Sequence, residues 1–326
     1  MANNNLAVVK KETIDIVEQK IKQFQNNGEL FFPENYVPEN ALKSAWLMIQ
    51  ETTDMNKKPV LEVCTQASIA NALLSMVIQG LNPDKKQCYF IAYGKKLVCM
   101  RSYFGSMHVA KMVDPNIVDI YAKTVYEDDE FEYEIRHGKE VVTLHKQKLG
   151  NINKDKIIGA YATILYKDGK ELSTILTLDQ IKQAWKQSQM RPVDDKGNIK
   201  AGSTHDKFTA DMCEKTAINK VCKYVINSSD DKSIVAKFAK QMDEELKEAE
   251  VEAEIEENAN KELRDIENAA DVEYEEVHEE PQQEQKDEPQ KIVKTQKYQQ
   301  SENTPENDDD GQINMTDAKP PWENEQ

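Results

Sequence analysis

Residues 65–113 read TQASIANALLSMVIQGLNPDKKQCYFIAYGKKLVCMRSYFGSMHVAKMV, and their reading decides the fold. Thr65 carries the side-chain oxygen of an N-cap. Ile69, Ala70, Leu73, Leu74, Met76 and Val77 then make the following turns apolar on nearly every side, which places that helix in a core. Gly80 suits the left-handed position just past the helix end, Leu81 supplies the closing apolar contact, and Pro83 forbids continuation. Two β-rich runs follow, 87–93 and 96–101, joined by Gly94-Lys95; glycine at the first loop position suits a type II′ hairpin. Ser102 caps a second helix that runs to about Val113 and stops before Asp114-Pro115.

Outward from this stretch the same signals recur. Ile14, Val17, Ile21 and Phe24 form one helical stripe upstream, and Pro33 and Pro38 bound a short linker. A helix over 39–52 puts Leu42, Ala45, Trp46 and Ile49 on one face. Downstream, residues 117–126, 129–136, 140–146, 157–167 and 171–177 read as strands, with Asp168-Gly169 as a hairpin turn. A helix over 178–189, a mobile loop over 191–203, a long helix over 205–226 and another over 232–240 complete the body. The expected architecture is α+β: a curved, mainly antiparallel sheet with packed helices, an N-terminal helical lobe and a disordered acidic C-terminal tail. The expected divisions are an N-terminal helical segment (1–38), a core (39–240) and the tail (241–326). No internal repeat is visible.

Charge is divided unevenly. The whole chain of 326 residues carries a formal net charge of −17. Residues 241–326 hold 8 Lys/Arg against 29 Asp/Glu, which leaves 34 against 30 in residues 1–240. A mildly basic body with a strongly acidic extension suggests a nucleic-acid binder with a regulatory or partner-binding tail. The tail to about 270 is Glu/Ala-rich and expected to be partly helical, and the remainder too polar to order. Trp322, after Pro320-Pro321, reads either as the anchor of a short linear motif or as a chance aromatic.

Several function classes are excluded by what is missing. No G-x-x-x-x-G-K-[ST] stretch exists, and Gly94-Lys95, Gly138-Lys139 and Gly169-Lys170 look like hairpin turns. The acids 127–130 read as a solvated bend, Asp84 has no acid-x-Lys partner on the next strand, and no nucleophile elbow occurs. His108, within a helix, reads as packed or solvent-facing. Five cysteines, at 64, 88, 99, 213 and 222, show no C-x-x-C or zinc spacing. With an odd count and a Lys-rich N-terminus lacking a signal sequence, they fit a reducing cytoplasm. No apolar run approaches a membrane span, and no residue calls for a cofactor or metal.

Two basic regions remain. Between Lys85 and Val113 lie Lys85, Lys86, Lys95, Lys96, Arg101 and Lys111 with no acid, interleaved with Tyr89, Phe90, Tyr93, Tyr103 and Phe104. Cations attract phosphate regardless of sequence, and aromatic faces accept stacked bases. The helix opening at Ser102 adds free N–H groups. Phe90 and Phe104 read as core, Arg101 and Lys111 as DNA contacts. The second region, 182–223, holds Lys182, Lys186, Arg191, Lys196, Lys200, Lys207, Lys215, Lys220 and Lys223 against five acids. Lys215 shares a helical stripe with Phe208 and Cys222, so it points either to Asp211 as an ion partner or into a groove. Trp185 reads as core or as a stacking platform.

At these residues the sequence resembles the RecT branch of phage single-strand annealing proteins, a family that includes the distant lambda Red-beta protein. The resemblance is carried by Ile78-Gln79-Gly80-Leu81-Asn82-Pro83, Cys88-Tyr89-Phe90-Ile91-Ala92-Tyr93-Gly94 and Tyr103-Phe104-Gly105-Ser106-Met107-His108-Val109-Ala110. It continues in Gly159-Ala160-Tyr161-Ala162, Trp185-Lys186-Gln187-Ser188 and Met212-Cys213-Glu214-Lys215-Thr216-Ala217-Ile218-Asn219-Lys220, and spans roughly residues 40–226. The resemblance implies an ATP-independent, non-enzymatic protein that coats single-stranded DNA, pairs complementary strands into duplex, and self-assembles into rings or helical filaments. It also implies a phage exonuclease and a host single-strand-binding protein as partners. Binding roles carried over fall on Arg101, Lys111, Trp185, Arg191 and Lys215; residues 219–223 lack an arginine expected there, which weakens Lys220 and Lys223. The rival readings are a coat protein without annealing activity, an adaptor recruiting partners through the tail and, more distantly, a nuclease.

Overall fold

The computed structural model describes residues 2–188, 191–229 and 232–267, with side chains from residue 9 to residue 253. The long helix α4 (Gln66–Ile78) is the axis of the first core. Thr65 caps it by accepting from the Ser68 N–H at 3.2 Å, and nine of its residues are buried, as expected of a helix apolar all round. Gly80, at φ 64°, ends it in the left-handed conformation that favours glycine, and a Cβ there would lie 2.6 Å from Met112 Sδ and 2.9 Å from His108 Nε2, so both side chains would have to shift. Around α4 pack α1 (Ala2–Asn26) through Val17 and Ile21, and α2 (Pro38–Glu51) through Leu42, Ala45, Trp46 and Ile49. The short α3 (Val60–Val63) and the hairpin of β1 (Cys88–Tyr93) and β2 (Lys96–Arg101) join them.

The second core lies under a five-stranded antiparallel sheet of order β3-β6-β7-β5-β4. Its strands are β3 (Ile117–Tyr126), β4 (Glu130–Arg136), β5 (Lys139–Lys146), β6 (Ile157–Tyr166) and β7 (Glu171–Thr177). The helix α6 (Leu178–Lys186) follows β7 directly, behind a capping box of Thr177 and Gln180. The short α7 (Thr204–Lys207) leads into α8 (Thr209–Asn227), which crosses the sheet and buries Cys213, Ala217, Val221 and Cys222. Between the cores lies α5 (Tyr103–Val113), whose neighbours Val109 and Ala110 are fully buried in opposite cores.

The α+β class, the antiparallel pairing and the N-terminal helices are as the sequence indicates. Four details differ. The strands form two separate sheets. The helix expected over 205–226 breaks at Phe208, whose φ of −130° and ψ of 48° are not helical and whose ring is 56% exposed. The segment 191–203 is a closed loop: Val193 is buried and bridges to Ile199, and the Asp194 carboxylate accepts from the Asn198 N–H at 2.7 Å. Finally, residue 240 is not a boundary in the chain's structure. The helix α9 (Ile234–Glu267) runs through it, with Met242 and Ala249 buried. Residues 268–326, including Trp322, lie outside the described residues.

Candidate nucleic-acid interface

The N-terminus of α5 is pinned in place. Ser102 Oγ accepts from the Gly105 N–H at 3.2 Å and donates to the Lys86 carbonyl at 2.6 Å. Gly105 allows this approach because a Cβ there would stand 2.1 Å from the Gln87 carbonyl oxygen. Lys85 and Lys86 are exposed beside the junction, Lys86 in the left-handed conformation at φ 56°. Burial lowers the pKa of His108 on the same helix, and the nearby positive charge of Lys85 lowers it further. A neutral imidazole is therefore favoured there.

On the outward side of this terminus the rings of Tyr103 and Phe104 lie 4.0 Å apart, and Lys215 Nζ, reaching across from α8, stands 5.5 Å from the centre of the Tyr103 ring. Phe104 is 45% exposed and Tyr89 40%. Burial raises the Tyr103 pKa, and Asp211, Tyr89 and Glu214 raise it further, so the ring stays a neutral phenol. Burial and then the charge of Lys215 lower the pKa of His205, which places that histidine in the same neighbourhood. A lysine held over a ring keeps its N–H donors for phosphate, and the exposed ring faces suit stacked bases. Along α8, Lys215, Asn219 and Lys223 follow at intervals of four, with Lys220 alongside; all but the half-exposed Lys215 are exposed. The structure thus brings together Lys85, Lys86, Ser102, Tyr103 and Lys215, with α8 extending the cationic surface.

The other expected contacts are placed differently. Arg101 is turned inward, with its side chain 6% exposed. Its guanidinium donates to Gln79 Oε1 (2.8 Å), the Ala239 carbonyl (2.9 Å) and Asp243 Oδ1 (2.6 Å), so it fastens α9 to β2 and presents no free fork to a phosphate. Trp185 is core, 5% exposed, with Nε1 donating to Thr216 Oγ1 at 2.8 Å and its ring 4.6 Å from His205; no face is left for a base. Phe90 is core as expected, whereas Phe104 is not. Lys111 is half-exposed, donating to the Val118 carbonyl at 3.0 Å and lying 3.5 Å from Asp119. Of the two readings for Lys215, the ammonium lies over the Tyr103 ring instead of pairing with Asp211, and the break at Phe208 takes that ring off the stripe the two were expected to share.

The remaining cations sit apart. Lys95 and Lys96 occupy the tip of the β1–β2 hairpin, where Lys96 Nζ meets Glu252 of α9 at 3.1 Å. Lys182 is close enough to Cys213 for its charge to oppose the burial that pushes that thiol up to about 12. Lys186, Arg191 and Lys207 are exposed around the loop that follows α6. Among the described residues no cluster of His, Cys, Asp and Glu could hold a metal ion, and no helix is long and apolar enough to cross a membrane.

The profile of the RecT family matches residues 39–262. The chain belongs to the RecT family. No curated protein matches it at a significant level. RecT membership implies single-stranded DNA binding and a single-strand annealing role in recombination, and annealing proteins of this kind are in general not catalysts. The RecT match takes in every cation named above and continues along α9 past Asp243. The ring of Phe104, which reads from the sequence as core, and that of Tyr89, one of the aromatics interleaved with the cations, are both exposed. The lack of acids around them was the available signal.

Proposed function

We propose that this RecT protein anneals complementary single strands without nucleotide or metal, as an oligomer that holds the first strand extended for pairing. The observation that carries the reading is the outward surface at the start of α5, where Lys215 stands over Tyr103 and the rings of Phe104 and Tyr89 are exposed beside Lys85 and Lys86. Cations there neutralise the repulsion between two backbones, and ring faces support bases without reading their edges. Watson–Crick pairing supplies the specificity, so the protein contacts backbones more than base edges. Lys220 and Lys223 extend the cationic surface along α8, and Lys182, Lys186, Arg191 and Lys207 form a second basic area around α6 and the loop after it. Assembly into a ring or filament, an exonuclease that generates the strands, a host single-strand-binding protein as a second partner and a cytoplasmic location belong to the same proposal. Annealing of complementary oligonucleotides in EDTA without nucleotide, with electron microscopy of the products, tests it. Full-rate annealing in ordered assemblies is expected. A requirement for ATP or metal overturns the mechanism, and strand coating without pairing would make the protein a coat protein.

A further inference from the structure

The five-stranded sheet has two outer edges, and they are finished differently. Along β3, side chains meet backbone groups that do not enter the ladder. Lys111 and Gln147 donate to the carbonyls of Val118 (3.0 Å) and Thr124 (3.1 Å). The N–H groups of Ile120, Thr124 and Tyr126 donate to Asp119 (2.8 Å), Glu214 (3.0 Å) and Asp129 (3.0 Å). An edge closed in this way takes up no further strand. Among the described residues no side chain does the same for β4. Six of its seven residues are exposed, including Tyr133 at 51% and Ile135 at 70%.

The hairpin that carries β4 is rooted firmly and projects freely. At its base the fully buried Asp129 side chain accepts from Gln147 (2.8 Å) and Asn151 (3.1 Å), and His145 bridges it to the Tyr161 hydroxyl. At its tip, His137 and Gly138 both have positive φ, 51° and 74°, the pattern of a type I′ turn. Between them β5 meets β7 at the ladder pair Glu140 and Ser173, where the Glu140 carboxylate also accepts from the Ile175 N–H at 2.7 Å.

The sequence of β4 is self-complementary. Residues 130–136 read EFEYEIR, with Phe131, Tyr133 and Ile135 on one face and Glu130, Glu132, Glu134 and Arg136 on the other. Laid antiparallel on a second copy about Glu134, Tyr133 faces the partner's Ile135 and Glu132 faces the partner's Arg136, each pair occurring twice. At the axis the two Glu134 face each other, a like-charge contact that the Arg136 beside each one, already its ion partner within the strand, offsets. Aromatic–aliphatic and opposite-charge cross-strand pairs are the stabilising kind. We propose that β4 pairs with β4 of a second copy in this register, joining two sheets into one across a two-fold axis. The inference rests on no property of the DNA surface.

A covalent trap tests it in the full chain. Directly opposed Cβ atoms in an antiparallel pair lie about 4.5–5.5 Å apart, near the disulfide range, so Glu134→Cys should yield a covalent dimer under copper–phenanthroline oxidation. The five native cysteines are buried and do not compete. Adding Glu132→Arg sets two arginines against each other at both ends and should cut the yield about tenfold. Adding Arg136→Glu as well should restore it. Lys215→Ala should leave the yield unchanged, which separates this contact from the DNA reading. No dimer from Glu134→Cys, or no rescue by the double reversal, overturns the proposal; the first result leaves the edge to a strand of another protein or to blocking by its own glutamates.

Discussion

Arg101 and Lys215 both lie at the start of α5, one against α9 and the other against Tyr103, and the family resemblance presents both as DNA contacts. On one side α9 supplies a carbonyl and a carboxylate, and Gln79 supplies an amide oxygen, so both terminal nitrogens of Arg101 are engaged inside the protein and its buried Nε faces no solvent. On the other side the neighbour is the Tyr103 ring, which attracts a cation without consuming its hydrogen-bond donors. The role of a basic residue is therefore set by what faces it: a multidentate oxygen cage makes it structural, an aromatic face leaves it available. That difference gives the two sides opposite sensitivities, in stability on the Arg101 side and in DNA affinity on the Lys215 side.

The largest expected effect is on the Arg101 side. Truncation after Lys240, a cut that composition alone would allow, removes Met242 from the first core together with the buried Ala249 and the Asp243 partner of Arg101. It should cost about 5 kcal/mol or more, read as a large drop in Tm or failure to fold. Truncation after Glu267 should leave Tm unchanged. Equal melting of the two would break the contrast. Arg101→Ala should cost about 3 kcal/mol, the low end for a broken buried pair because Asp243 is 32% exposed.

Asp129→Asn comes next, at about 1–3 kcal/mol from mismatched hydrogen bonds. Burial would raise the carboxyl pKa, but hydrogen bonds from Gln147, the Tyr126 N–H, Asn151 and His145 bring it below the ordinary value. A depressed folded-state pKa stabilises above the unfolded value and loses that contribution as pH falls. The gap between wild type and variant should thus narrow below about pH 4 in acid denaturation followed by circular dichroism.

Lys215→Ala should reverse the pattern, with Tm held within about 0.5 kcal/mol equivalent and the log–log salt slope of single-strand binding flattened by about 0.7. A fall in Tm with an unchanged slope would move Lys215 to the structural side. The smallest change is expected of Lys111→Ala. Its ion pair with Asp119 is exposed at both ends, so stability should move by less than about 1 kcal/mol in thermal melts.

Elements written in local signals were legible. The Thr65 cap, the Gly80 stop, the Ser102 cap and the five strands of the second sheet follow from periodicity and turn residues within a few positions. What was not legible depends on contacts made far along the chain. The inward turn of Arg101 requires Asp243, 142 residues away. The packing of α9 is written in Val235, Ala239, Met242 and Ala249, an apolar stripe at helical spacing that its glutamates obscure in any composition count. For the site, the stripe on α8 leaves Lys215 ambiguous, and its aromatic neighbour lies on another helix, so no spacing rule within α8 reveals it. Trp185 and Thr216 are separated in the same way.

The first core has a consequence for synthesis. It draws on residues 17–109 and again on 226–242, with the whole five-stranded sheet emerging between. At about 5–20 residues per second, the surface of α4 and β2 that α9 covers waits for at least several seconds after leaving the ribosome. Nascent chains stalled before Ile234 should therefore be open to protease in the first lobe, whereas chains released after Glu267 should not. The end of the RecT match, well beyond the last basic residue of α8, coincides with the helix that ends this wait.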